Sequence, residues 1–222
     1  VEDNHYRTKV FLEGKLRKDD YKSQRFWLSH QQMQERFVHA QGLQAHHRFL
    51  DIGCGPLRLG SVLIPYLRAG HYFGMDINQD TIDLGLSKLR EEGVDLRNTS
   101  FVVSDCFDFS SIDGSVDMAF SNSLFSHLSL NSIGVCLSNL ASVLAQGGLY
   151  FTTFFLVPDT VTWARPSPRD KWDRKFETHP AQDPFHYTFD MMAAVAGHCG
   201  FDCALDDSFG HPTQTMAVLT RR

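Results

Sequence analysis

"FLDIGCGPLRLG", residues 49–60, decides the reading of this 222-residue chain. An apolar run ends in an acid, Asp51. Then come Gly53, Cys54 and Gly55, and after them residues able to open a helix. Glycine suits such a turn because it accepts left-handed backbone and lets a ligand approach the main chain closely. A third glycine would fit two residues after Gly55, but Leu57 stands there, followed by Arg58. Strand, tight turn and helix start is the arrangement by which open α/β sheets receive nucleotides.

Outward from the turn, strand-like and helix-like patterns alternate. "RFLDI", "HYFGMDI", "TSFVVSD", "VDMAFSN" and "GLYFTTFFLV" read as five strands. Segments 57–67, 79–92, 132–144 and 189–198 carry helical spacing between or after them, with Gly93 and Gly200 as stops. Alternation of this kind predicts a mostly parallel sheet with helices on both faces. Two late strands, "FDCALDDSF" and "TMAVLTR", are joined by a short polar turn at Gly210-His211-Pro212. That connection is too short for a parallel crossover, so the pair is expected to be antiparallel. Ahead of the turn, residues 1–18 read as a loose polar arm and 19–41 as a helix stopped by Gly42. The expected organisation is an arm and helical cap over 1–48 and one α/β domain over 49–222.

Composition is compatible with that organisation and narrows the partners. Hydrophobic residues make up 42% of the chain, which suits one globular domain with embellishments. A net charge of −5 argues against a broad nucleic-acid surface, and no known nucleic-acid module is visible. No apolar run approaches the roughly 20 residues of a membrane span, and no signal-peptide pattern opens the chain. The five cysteines lack paired spacing, which predicts reduced thiols, a cytoplasmic location and no zinc site. No metal is expected.

Segment 157–187 breaks the rhythm. It holds five of the eight prolines, with Trp163, Trp172, Phe176, Phe185 and Tyr187. It reads either as a surface insertion or as a lid over a binding site. Within it, Arg165, Arg169, Lys171, Arg174 and Lys175 face two readings: a solvated charged stretch, or a receptor for a carboxylate or phosphate on a substrate.

Ligands of open sheets bind at the carboxyl ends of the strands. The first three strands end at Asp51, Asp76 and Asp105, and the fourth at Ser121-Asn122-Ser123. Asp76 lies 21 residues beyond Gly55, near the ~20-residue offset of an acid that holds ribose hydroxyls. Arg58 occupies the third-glycine position of the dinucleotide fingerprint, and Asp51 would repel a pyrophosphate. The same acids suit a positively charged sulfonium nucleoside. Asp105 can accept from an adenine amino group.

The ordered set "LDIGCGPLRLG", "YFGMDIN", "VVSDCFDF", "VDMAFSNSLFSHL" and "LAQGGLYFTTFF" resembles the class I S-adenosylmethionine-dependent methyltransferases. The resemblance implies a Rossmann-like, seven-stranded, mostly parallel sheet with an antiparallel last strand. It implies S-adenosyl-L-methionine as cofactor, with Asp51, Gly53, Cys54 and Gly55 at its methionine part. Asp76 would take the ribose, Ile77 the adenine face, and Asp105 and Cys106 the adenine edge. Asn122 would sit beside the sulfonium. Leu57 departs from the family's third glycine, and Arg58 would contact either the N-terminal helix or the ligand.

Methyl transfer to a neutral hydroxyl or amine can call on a base. His127, in "SNSLFSHLS", is the first candidate, against the reading that it packs or caps the next helix. His186, in "DPFHYTF", is the second, against a hydrogen bond from loop to core. The segment after the fourth strand lacks the Asn-Pro-Pro-aromatic motif of many amide and ring-nitrogen methylators. The expected acceptor is an O or N nucleophile on a small molecule or glycan-type compound. The alternative is a non-catalytic protein of the same fold that binds the nucleoside or only a partner.

Overall fold

A computed structural model describes residues 21–171 and 174–222. The arm predicted at 1–18, and Trp172 and Asp173, lie outside the described residues. By contacts the chain forms two units, residues 1–105 and 106–222.

In the first unit, α1 (Tyr21–Ala40) precedes β1 (Phe49–Ile52), α2 (Gly60–Tyr66), β2 (Tyr72–Asp76), α3 (Gln79–Glu91) and β3 (Ser100–Val103). The three strands are parallel, in the order β3-β2-β1. β1 is buried along its whole length, Asp51 included, as befits a strand covered on both faces. Asn78 caps α3 by accepting from the Thr81 amide. Asp80 in the first turn and Lys88 and Arg90 in the last complement the helix dipole. Gly93, at φ 76°, ends the element where the sequence placed its stop.

The helix expected from residue 57 starts only at Gly60. Leu57 adopts φ 57°, and its amide bonds back to the Cys54 carbonyl at 3.1 Å, so the chain turns before it can wind. A left-handed leucine costs about 1–2 kcal/mol, and here its side chain is buried in return. The space it needs comes from two glycines. A Cβ on Gly85 would meet Leu57 Cγ at 2.8 Å, and one on Gly60 would meet Leu57 Cβ at 3.2 Å. The glycine missing from the turn is thus matched by glycines on the helices packed against it.

Gly85→Ala tests this. Alanine ordinarily stabilises a helix interior by about 1 kcal/mol over glycine. Here the added methyl would lie 2.7 Å from the Pro56 carbonyl carbon and 2.8 Å from its oxygen, both backbone atoms that cannot swing away. The substitution is expected to destabilise by about 1–3 kcal/mol, as overpacking does. Denaturant unfolding would show it as a lower midpoint with an unchanged slope. A raised midpoint would mean that the packing is looser than described.

The second unit contains β4 (Val116–Ser121), a single 3₁₀ turn (Phe125–His127), α4 (Leu130–Val143) and β5 (Leu144–Leu156). It continues with α5 (Thr160–Trp163), β6 (Ser167–Lys171), β7 (Arg174–Thr178), β8 (His186–Tyr187), α6 (Phe189–His198), β9 (Phe201–Asp206) and β10 (Thr215–Arg221). β4 and β5 are parallel. β10 runs antiparallel to both β5 and β9 and lies between them, as the short polar turn before it demands. The fold is therefore a mixed α/β, Rossmann-like one of mostly parallel strands closed by an antiparallel last strand. β8 adds a two-residue pairing to the end of β5. α4 and α6 carry serine and threonine caps, Ser129 and Thr188.

The insertion is more ordered than its prolines suggest. β6 and β7 form an antiparallel hairpin with Arg169 opposite Phe176 and Ser167 opposite Thr178. Those four residues are buried or half-buried, while Pro168, Asp170, Lys175 and Glu177 are exposed. This is the two-residue alternation of a strand with one covered face. The charges and the two prolines at 166 and 168 hid it from sequence reading. The ring of Phe176 packs on Phe155 of β5 at 5.6 Å between centroids.

Candidate active site

The first unit gathers the glycine turn and the strand-end acids. The amides of Gly53 and Cys54 both donate to the Met75 carbonyl, at 2.7 and 2.9 Å. Gly53 and Gly55 take φ of 73° and 54°, which suits glycine and little else. Asp76 fastens the turn from the next strand: its Oδ2 accepts from the Gly55 amide at 2.8 Å and its Oδ1 from the Asn78 amide at 3.0 Å. Sequence reasoning assigned Asp76 to a ribose alone. The structure adds a clasp between β1's turn and α3's cap.

Next to the clasp lies an open cleft of about 420 Å³, lined by Ile77, Asn78, Asp80, Val103, Ser104 and Asp105 among others. Ile77 and Asp105 were expected at a nucleoside site. Asn78, Asp80 and Val103 were not, although the Asn78 cap and the Asp80 helix start could have marked them. Val103 is 47% exposed at the end of its strand, an apolar surface open to a ligand.

Asp51 sits deeper than a surface acid. It is 4% exposed, and its Oδ2 accepts from the Tyr72 hydroxyl at 2.9 Å. Burial pushes its carboxyl up to about 7; the Tyr72 hydrogen bond and Arg58 oppose the rise and Asp76 adds to it. Burial likewise raises the Cys54 thiol well above its ordinary range. Cys54 faces inward, with its Sγ 3.2 Å from where a Cβ on Gly74 would stand. What Cys54 offers the turn's outer side is backbone.

Arg58 resolves toward the N-terminal helix. Its guanidinium lies over the Trp27 ring at 4.6 Å and the Phe26 ring at 6.0 Å. The Gln31 amide of the same helix donates to the Arg58 carbonyl at 2.9 Å and to Ser61 Oγ at 2.5 Å. Burial lowers the guanidinium to about 10, with Asp51 working against the shift. Helix α1 thus closes over the turn's exit.

A pH prediction follows for Asp51. A carboxyl raised on folding favours the protonated form, so its contribution to stability is complete below the ordinary carboxylate range and is lost as pH rises through about 7. Asp51→Asn is neutral throughout. Relative to wild type it is expected to gain roughly 2–3 kcal/mol between pH 5 and pH 8 in the ligand-free protein. Thermal unfolding at the two pH values measures this. An equal offset at both would place Asp51 in an unperturbed environment.

The remaining candidates lie in the second unit. Cys106 is exposed, and its carbonyl, with that of Phe107, accepts from the Asn139 side-chain amide. At the end of β4, Ser123 adopts φ 59° and its amide donates to Thr153 Oγ1 at 2.7 Å. Asn122 donates weakly to Ser123 Oγ, while its buried Oδ1 has no hydrogen-bond partner. A buried unpaired acceptor costs about 1–3 kcal/mol.

His127 Nδ1 lies 2.6 Å from Asp183 Oδ1, with both side chains about one-third exposed. The flanking chains are laced together: the Phe185 amide donates to the Ser126 carbonyl at 2.7 Å, and the Tyr187 hydroxyl to the Leu128 carbonyl at 2.5 Å. Sequence reading missed Asp183, which stands 56 residues away and carries no local signal. His186 is fully buried. Its Nε2 donates to the Trp163 carbonyl at 2.9 Å, and its Nδ1 pairs with Thr178 Oγ1 at 2.8 Å. Burial lowers its pKa, in keeping with a neutral ring. Both nitrogens are committed to the insertion, which is the structural reading of this residue.

All five cysteines are free thiols. Among the described residues, no group of three or more His, Cys, Asp or Glu is placed to hold a metal, and no helix is long and apolar enough to cross a membrane.

Residues 49–148 match the family model described as "Methyltransferase domain". Solved structures with the same fold include magnesium protoporphyrin IX methyltransferase from Synechocystis PCC 6803 with bound S-adenosylhomocysteine. It is 15% identical, with a TM-score of 0.67, over 98% of this chain and 96% of that one. A S-adenosylmethionine-dependent methyltransferase from Clostridium acetobutylicum ATCC 824 is 14% identical, with a TM-score of 0.63, over 98% and 99%. A glycopeptide N-methyltransferase complexed with S-adenosylmethionine is 15% identical, with a TM-score of 0.60, over 86% and 93%. Turn, strand-end acids and sheet order within each unit agree with these comparisons: the fold is that of S-adenosylmethionine-dependent methyltransferases, and residues 49–148 match a methyltransferase domain.

Proposed function

We propose that this protein binds S-adenosyl-L-methionine and transfers its methyl group to an O or N nucleophile of a small-molecule or glycan-type acceptor in the cytoplasm. The observation that carries the reading is the cleft lined by Ile77, Asn78, Asp80 and Asp105 beside the Asp76–Gly55 clasp. Asp76 has carboxylate lone pairs beyond those given to the two amides, and these suit vicinal ribose hydroxyls. Ile77 and Val103 supply apolar faces for an adenine, and Asp105 an acceptor for its amino group. Gly53, Cys54 and Gly55 present backbone to the methionine part, with Asp51 beneath. The orphaned Asn122 Oδ1 suits polarised C–H or N–H groups near a sulfonium. Cys106 follows Asp105 at the adenine edge. When bound, the cofactor supplies an already activated methyl group.

The chain's own task is then alignment and deprotonation. Alignment at about 3–3.5 Å supplies much of the acceleration in such displacements. His127 is the base. With Asp183 accepting from Nδ1–H, the imidazole is held in the tautomer whose lone pair is on Nε2, the form a base requires. His186 braces the insertion and takes no part in proton transfer. Support from relatives is by class: one similar fold acts on a porphyrin and another on a glycopeptide, both by their names. Isothermal calorimetry with S-adenosylhomocysteine, followed by a methyl-transfer screen over hydroxyl and amine acceptors, tests the proposal. Absence of nucleoside binding would refute it. Binding without transfer to any acceptor would favour a non-catalytic binder.

A further inference from the structure

Among the basic residues of the insertion, Arg169 is turned inward. Arg169 shares the covered face of the hairpin with Phe176, while Lys175 lies on the exposed face. Its guanidinium stands over the Phe155 ring at 5.5 Å, and its Nη2 donates to the Leu156 carbonyl at 2.7 Å, at the carboxyl end of β5. Its Nε is buried without a hydrogen-bond partner. Among the described residues no carboxylate forms an ion pair with it. Burial holds its pKa below the usual guanidinium range. A half-buried cation that lacks a counter-charge is costly, and the braces from Phe155 and Leu156 fix it without neutralising it.

A second orphan donor belongs to the same cluster. Trp163 Nε1 is buried with no partner. Trp163 is tied to the site through its carbonyl, which accepts from His186 Nε2, and His186 feels the charge of Arg169. His186 pairs in register with Phe155, the residue beneath the guanidinium. Around the carboxyl end of β5 the fold therefore carries one fixed positive charge and two unsatisfied N–H donors, on residues that both approach His186. Donors without acceptors beside an uncompensated cation define an oxyanion receptor.

We propose that Arg169 and Trp163 form a subsite for an acidic group, a carboxylate or a phosphate, carried by the methyl acceptor. The guanidinium supplies the charge and its Nε–H one hydrogen bond, and the indole N–H supplies a second. The acceptor is then an anionic small molecule, held by its acidic end while its nucleophile is presented elsewhere. This assignment rests on the methyl-transfer reading for its meaning but not for its test.

The test uses the full chain, with inorganic phosphate and acetate as probes and calorimetry as readout. Wild type is expected to bind at least one probe saturably. Preference for phosphate would indicate a phosphorylated acceptor, preference for acetate a carboxylated one. Arg169→Gln is expected to weaken binding by about tenfold or more, the scale of a charge-assisted pair, and Trp163→Phe by several-fold. Arg165→Gln, which removes an exposed cation of the same segment, is expected to leave binding unchanged. S-adenosylhomocysteine binding in each variant reports an intact fold and tests the cofactor reading separately. Saturable binding of neither probe by wild type, or equal binding by Arg169→Gln, would overturn the subsite even where the nucleoside binds. Probe binding without nucleoside binding would retain the subsite and remove the methyltransferase reading.

Discussion

Asp76→Ala is expected to weaken S-adenosylhomocysteine binding by about 100-fold or more. Each hydrogen bond to a charged group is worth about 1.5–3 kcal/mol, and each 1.4 kcal/mol is tenfold in affinity. The alanine removes the acceptor for the ribose hydroxyls. It also releases the Gly55 amide, which Asp76 holds at 2.8 Å, so the turn loses its shape along with its ligand. Asp76→Asn separates the two contributions. Its amide oxygen can still accept from Gly55, and the charge that faced the ribose is lost. Its NH2 then faces the Asn78 amide that Oδ1 accepted from, so asparagine is expected to lose about 1–3 kcal/mol of stability and about tenfold in affinity. Calorimetry and denaturant unfolding on both variants measure this. Unchanged affinity in Asp76→Ala would place the nucleoside away from the clasp.

His127→Ala is the other large effect. A positioned base contributes about 10²–10⁴-fold, and the loss should fall on kcat, because His127 is assigned to proton transfer and not to cofactor binding. S-adenosylhomocysteine affinity is expected to stay within about twofold of wild type, well under one tenfold step. Asp183→Asn serves as the companion. It keeps a hydrogen-bonding oxygen near Nδ1 but removes the charge that stabilises the imidazolium formed on proton uptake. Its kcat is expected to fall less than in His127→Ala. Full activity in His127→Ala would assign the deprotonation to solvent or to the acceptor itself.

Much of the fold could be read before the structure, and for identifiable reasons. The strands from "RFLDI" to "GLYFTTFFLV" are mainly apolar, β-rich stretches that alternate with helical ones. α6 runs over 189–198 as expected because a threonine cap precedes it and Gly200 follows. The antiparallel closure followed from connection length alone. What escaped was information held between distant residues. Leu57 looked like a defect in the turn until Gly85 and Gly60 were seen to make room for it. The hairpin at 167–178 was masked by prolines that sit on its exposed face or ahead of it. Asp183 and Arg169 gained significance only when the fold set one beside His127 and the other over Phe155. The acids at strand ends were legible because the topology of open sheets says where to look. Their hydrogen-bond partners were not.

The most direct measurement of the central claim is calorimetric titration of the wild-type protein with S-adenosyl-L-methionine and S-adenosylhomocysteine, repeated on Asp76→Ala. Saturable binding of both nucleosides by wild type, abolished or weakened by about 100-fold in the variant, is the predicted result. A folded wild-type protein that binds neither nucleoside would contradict the account.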